Sequence, residues 1–126
     1  MGVLDGFTPF DFNAGAPYVS ITSNGLTFNK SVMIKLRYPE HVLFLINEEQ
    51  RQIALRSCDA TETEAVPFYK PKASGILSVR WNSRDLTNTI ETLMEWNLTQ
   101  DSYRIDGTLI KSENAMIFDL NCARKM

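Results

Sequence analysis

Twice in this chain a short strand closes on an aromatic residue and an asparagine, a helix follows, and two strands ending in a cysteine follow the helix. The first instance is Leu26-Thr27-Phe28-Asn29, a helix to Arg37, and a hairpin from His41 to Cys58. The second is Val79-Arg80-Trp81-Asn82, a helix to Asn97, and a hairpin from Tyr103 to Cys122. The asparagines stand 53 positions apart and the cysteines 64, and a longer second helix with its exit loop makes up the difference. One β-α-β-β unit of this size cannot bury its own apolar faces. Two units in one chain can close on each other, as a pseudo-symmetric barrel without free edges or as two packed sheets. The other reading is one α+β domain in which two stretches merely look alike. The expected fold class is α+β in one compact domain: an N-terminal arm at 1–17, a first β-α-β-β unit at 18–58, a joint at 59–65 and a second unit at 66–122.

The local signals support these elements. Tyr18-Val19-Ser20-Ile21-Thr22 is aromatic and β-branched, which suits a strand, and Ser23-Asn24-Gly25 turns it. Asn29 is placed to cap the first helix, with Val32, Met33 and Leu36 on one face and Pro39 as the stop. His41 to Asn47 is apolar on both faces, so it is expected to be buried twice over or to lie in a subunit interface. Gln52 to Cys58 returns. Val66 to Lys70 and Ile76 to Trp81 are the next strands, and Asn82 or Ser83 caps a helix from Arg84 to Asn97 with Leu86, Ile90, Leu93 and Met94 inward. In the last hairpin Met116, Phe118 and Leu120 alternate inward. The tail from Ala123 is expected to fray.

Composition narrows the function. The 126 residues carry a net charge of −2, which gives no global attraction to nucleic acid or to an anionic membrane. A local basic patch remains open. The longest apolar run, Val42 to Ile46, is far too short to span a bilayer, and Met1 to Tyr18 has no basic n-region, so a cytoplasmic location with two reduced thiols is expected. His41 is the only histidine, so no histidine cluster exists for a metal. A His41–Cys58 pair is conceivable across the hairpin, but Cys58 has no visible activator. No glycine-rich phosphate loop occurs. The chain reads as a non-enzyme without metal, catalytic residues or cofactor.

The segment Ile21-Thr22-Ser23-Asn24-Gly25-Leu26-Thr27-Phe28-Asn29-Lys30 resembles the opening of the AbrB/MazE/SpoVT class of swapped-hairpin domains. That class shows a Thr/Ser-polar-Gly turn, then a hydrophobic-Thr-hydrophobic-Pro-Lys strand entering a short helix. The likeness extends over residues 18–58. Asn29 stands where the class has proline, one residue is missing between Gly25 and Leu26, and the second copy matches less well. Members pair two short chains into one DNA-binding barrel. The resemblance implies bacterial transcriptional regulation or antitoxin-like binding, with the pairing internal to this chain or between two chains.

Two partners follow from these readings. For double-stranded DNA, Lys30, Lys35 and Arg37 on the first helix, with Arg80 and Arg84 at the matching point of the second copy, would contact phosphates, and Asn24 would sit on a loop at the DNA face. The first copy carries a net +2 and the second a net −1. The same cations are also what an ordinary solvated helix surface carries. For a protein-binding homodimer, the aromatic arm Phe7, Phe10 and Phe12 is the candidate surface, because glycines and prolines around it prevent tight local structure.

Overall fold

The structure, a computed structural model, describes residues 2–7, 15–70 and 78–126. Nine strands and two helices follow in the order β1 (Tyr18–Thr22), β2 (Gly25–Phe28), α1 (Lys30–Lys35), β3 (His41–Asn47), β4 (Gln52–Ser57), β5 (Val66–Pro67), β6 (Val79–Trp81), α2 (Arg84–Met94), β7 (Tyr103–Ile110), β8 (Ala115–Asp119) and β9 (Arg124–Lys125). All ladders are antiparallel and form one sheet, in the order β5-β3-β4-β8-β7-β1-β2-β6, with β9 beside β7. The fold is α+β, with one sheet rather than two packed ones.

That sheet curls. Phe44 on β3 and Trp81 on β6 lie near opposite ends of the strand order, six spacings apart, or about 29 Å if the sheet were flat. Their rings are 5.6 Å apart. Trp81 also meets Phe68, just beyond β5, at 5.9 Å, and both touch Phe28, at 5.0 and 5.6 Å. Aromatic side chains therefore bring the two ends of the sheet together, while no ladder joins β5 to β6 among the described residues. Val19, Ile21, Leu26, Phe28, Ile53, Leu55, Ile105, Met116 and Phe118 are buried in the core.

Long strand β7 is the hinge of the sheet. Tyr103 to Asp106 pair with β1, and Gly107 to Ile110 pair with β8. Gly107 sits at the changeover, where a Cβ would meet the Met116 sulfur at 2.6 Å and the Phe118 ring at 2.8 Å, so only glycine fits without displacing the core.

One expectation needs correction. The tail is not frayed: β9 pairs with Tyr103 and Arg104, and the Arg124 guanidinium donates to both Asp106 oxygens at 3.0 and 3.1 Å. A short ladder and an ion pair in which one guanidinium nitrogen reaches both carboxylate oxygens hold what sequence position alone would leave loose. Of the two alternatives expected for strand β3, burial on both faces within one chain does not hold, since Leu45 and Ile46 are 44% and 38% exposed. Strand β3 runs past β5, which pairs only with His41 and Val42, and Val42 at the base is the one fully enclosed residue of the strand. In the arm Phe7 is 74% exposed, while Phe10 and Phe12 lie outside the described residues.

Both helices end earlier than the expected Arg37 and Asn97, because left-handed residues intervene. After α1 these are Arg37 and Tyr38, and after α2 it is Glu95. Among the described residues no helix is long and apolar enough to cross a membrane.

Candidate functional site

A cleft of about 460 Å³ opens where the β1–β2 turn meets the start of α2. Its position follows from local chemistry. Gly25 takes φ +129°, and a Cβ there would collide with the Trp81 carbonyl, so glycine lets the turn lie against the end of β6. The ladder Leu26↔Trp81, Thr27↔Arg80, Phe28↔Val79 then sets Ser23 and Asn24 beside Asn82. Ser83 caps α2 by accepting from the Leu86 N–H at 3.2 Å. The far wall is the Leu98-Thr99 loop, tied to the helix because the Glu91 carboxylate accepts the Leu98 N–H at 2.8 Å.

The cleft is polar and carries excess positive charge. Arg80 and Arg84 line it, with Asn24, Asn82 and Asn88, and Glu91 is its one acid among the described residues. Glu91 is already engaged by Leu98. Arg80 donates its Nε–H to Thr27 Oγ1 at 3.2 Å, and neither arginine forms an ion pair among the described residues. An arginine fork with free donors beside three carboxamides suits a phosphate or carboxylate oxygen.

The cations anticipated from sequence fall into two groups. Arg80, Arg84 and Asn24 share the cleft, whereas Lys30, Lys35 and Arg37 do not line it. The antiparallel β2–β6 ladder explains this: α1 leaves from its Phe28 end and α2 from its Trp81 end. The cleft also contains residues that sequence reading did not single out, Thr87, Asn88, Glu91 and Thr99. A signal existed for three of them. Arg84, Thr87, Asn88 and Glu91 are spaced i, i+3, i+4, i+7, the same periodicity that marks an apolar face, here drawn in polar residues.

The end of α1 is built differently. Asn29 caps its start, accepting from the N–H groups of Val32 and Tyr18 and donating to Ala16. At the other end the Tyr38 N–H donates to Met33 at 2.8 Å and the Arg37 N–H to Ile34 at 3.0 Å. This is the pair of bonds that usually closes a helix on glycine. Here Arg37 and Tyr38 take φ +64° and +54° instead, at a cost of about 1–2 kcal/mol each for side-chain-bearing residues. The Tyr38 ring packs on Tyr69 at 5.0 Å.

His41 and Cys58 are backbone neighbours, with the Cys58 N–H donating to the His41 carbonyl at 3.1 Å. Burial pushes the Cys58 thiol up, and Glu62 and Asp59 push it further in the same direction. That is the opposite of what a nucleophilic thiolate needs. Both cysteines are free. Comparison with protein-family models, with curated proteins and with solved structures finds no match.

Proposed function

We propose that this chain is a non-enzymatic DNA-binding protein of the swapped-hairpin kind, in which two halves of one chain take the places of two short chains. Support for the architecture comes from the pattern of pairing. Calling 18–58 and 66–122 the halves, β1 pairs with β7 and β5 with β3, so the counterpart strands exchange partners. Strands β2 and β6, which correspond, pair with each other, as do β4 and β8. The hairpins β3–β4 and β7–β8 also correspond. Only the β1–β2 hairpin lacks its equivalent, since β5 and β6 are not paired among the described residues. Reciprocal pairing of most counterpart strands supports duplication over chance similarity of two stretches. The reading is of a duplicated unit closed into a pseudo-symmetric, barrel-like sheet.

The observation that carries the DNA reading is the meeting of Asn24, Arg80 and Arg84 in one polar cleft, with both guanidiniums free of ion pairs among the described residues. The cleft takes the sugar-phosphate backbone, and Lys30, Lys35 and Arg37 add attraction from the other end of the β2–β6 ladder. The net charge of −2 makes this attraction local, so binding depends steeply on those few residues.

Fluorescence anisotropy with random-sequence duplex DNA tests it. Wild type is expected to bind at low salt and to weaken as salt rises. An Arg80→Glu/Arg84→Glu variant should lose most of that binding, and a neutral Arg80→Gln/Arg84→Gln variant should flatten the salt slope by about 2 in log–log units. Absence of wild-type binding at low salt would end the DNA reading.

A second reading, a homodimer, is favoured by a separate observation. Leu45 and Ile46 at the β3–β4 tip and Val3, Leu4 and Phe7 in the arm are exposed apolar residues. Sedimentation across a concentration series decides it: a single species at monomer mass removes this reading.

A further inference from the structure

We infer that the end of α1 is a stacking platform for an unpaired nucleobase, so that the nucleic acid this chain holds includes a single-stranded stretch. The inference rests on the nucleic-acid reading above but uses a different surface. Tyr38 is 47% exposed, although its ring is fixed on Tyr69 with centroids 5.0 Å apart and planes tilted by 58°. Tyr69 is in turn anchored, since its N–H donates to the Pro39 carbonyl at 3.0 Å and the Phe68 N–H donates to Glu40 at 2.8 Å. An aromatic ring held in place yet open to solvent offers a face to a base, and every base has a face to offer.

The charge around it has the matching sign. From Lys30 to Glu40 the chain carries Lys30, Lys35 and Arg37 against the single acid Glu40, and Lys70 follows Tyr69. None of the four cations forms an ion pair among the described residues. Arg37 precedes the ring in a left-handed conformation that glycine would adopt at lower cost, so a cation is kept beside Tyr38 where turn formation alone does not call for one. An exposed ring in a segment of net positive charge suits stacking plus phosphate contact. The equivalent turn after α2 lacks this character: Glu95 replaces the cation, and Trp96 lies flat against Tyr103 at 3.8 Å and 9°.

The test compares labelled oligodeoxythymidylate with a duplex of equal length, on the full chain, by anisotropy at low salt. Wild type should bind both. Tyr38→Ala should lose roughly 5- to 100-fold in affinity for the single strand and little for the duplex, and Tyr38→Phe should keep both affinities. Thermal melts of the variants separate lost stacking from lost folding, and Tyr38→Phe keeps the ring whatever the alanine variant does. An unchanged single-strand affinity in a folded Tyr38→Ala, or an equal loss for single strand and duplex, overturns the platform and leaves the DNA reading standing. No wild-type binding to either nucleic acid overturns both. Displacement of the single strand by polyglutamate as readily from wild type as from Tyr38→Ala would assign the surface to an acidic protein instead and also overturn it.

Discussion

At the end of α1 the chain turns through Arg37 and Tyr38, and at the end of α2 it turns through Glu95 and Trp96. Both turns use a left-handed residue that is not glycine, and in both the following aromatic residue donates its N–H five residues back, to Met33 in one case and Glu91 in the other. The backbone solutions are related, with two left-handed residues after α1 and one after α2, and the side chains diverge. Trp96 spends its ring on Tyr103, and Glu91 spends its carboxylate on Leu98, so the second turn is committed to holding the exit loop that walls the cleft. The first turn leaves Tyr38 half in solvent and a cation beside it. When one geometry occurs twice in a chain, the side chains that the geometry does not require are where a binding role is best sought.

The same contrast holds where the two halves meet. Phe28 and Trp81 close the paired strands β2 and β6 and touch each other at 5.0 Å, yet Phe28 is fully buried and Trp81 only partly. Phe28 packs on Phe68, Trp81 and Phe118, so Phe28→Ala should cost about 4 kcal/mol in chemical denaturation. Trp81→Ala, with less apolar area to lose, should cost about 2 kcal/mol. Equal losses would mean that the two positions are energetically alike and that the asymmetry in burial is of no consequence.

At the helix ends the expected effects are smaller. Arg37→Gly and Glu95→Gly should each stabilise the fold by about 1 kcal/mol, because glycine takes the left-handed conformation without a Cβ clash. The comparison sharpens when the same two variants meet single-stranded DNA. Arg37→Gly should bind more weakly and Glu95→Gly should not. Equal behaviour would erase the distinction between the turns.

The cysteines that end the two hairpins differ least in sequence and give the smallest effect. Cys122 is exposed, whereas Cys58 is half-buried with its thiol pushed up by burial, Glu62 and Asp59. A thiol reagent at mildly alkaline pH should label Cys122 first. Because the folded state favours the protonated Cys58 thiol, its contribution to stability is full below the thiol's unfolded pKa and fades as pH rises through the raised folded value. Denaturation of a Cys58→Ala variant at neutral and alkaline pH checks the sign: the wild type should lose stability with rising pH more than the variant does.

Much of the local structure was legible beforehand. Strand β7 runs from Tyr103 to Ile110 as expected, Asn29 and Ser83 cap the helices, and Met116, Phe118 and Leu120 are buried in alternation. Those features follow from side-chain period and capping chemistry, which act over a few residues. Helix ends were less legible, since Arg37 and Glu95 take a conformation that sequence associates with glycine.

The candidate cleft was half legible. Arg80 and Arg84 were named from the expected repeat and Asn24 from the family resemblance, while Asn88 and Glu91, on the same helix face as Arg84, were passed over and Thr99 comes from a loop that sequence does not show to be a neighbour.

By itself the sequence determined the kinds and order of the elements, because burial period, turn residues and caps are properties of short stretches. Only the tertiary structure decided which strands pair beyond the hairpins. The pairing of β1 with β7 and of β5 with β3, the tail laid beside β7, and the curl that brings Phe44 to Trp81 all bring together segments that are not consecutive hairpins. Such pairings depend on how apolar faces from the whole chain are shared out, and no local pattern carries that information.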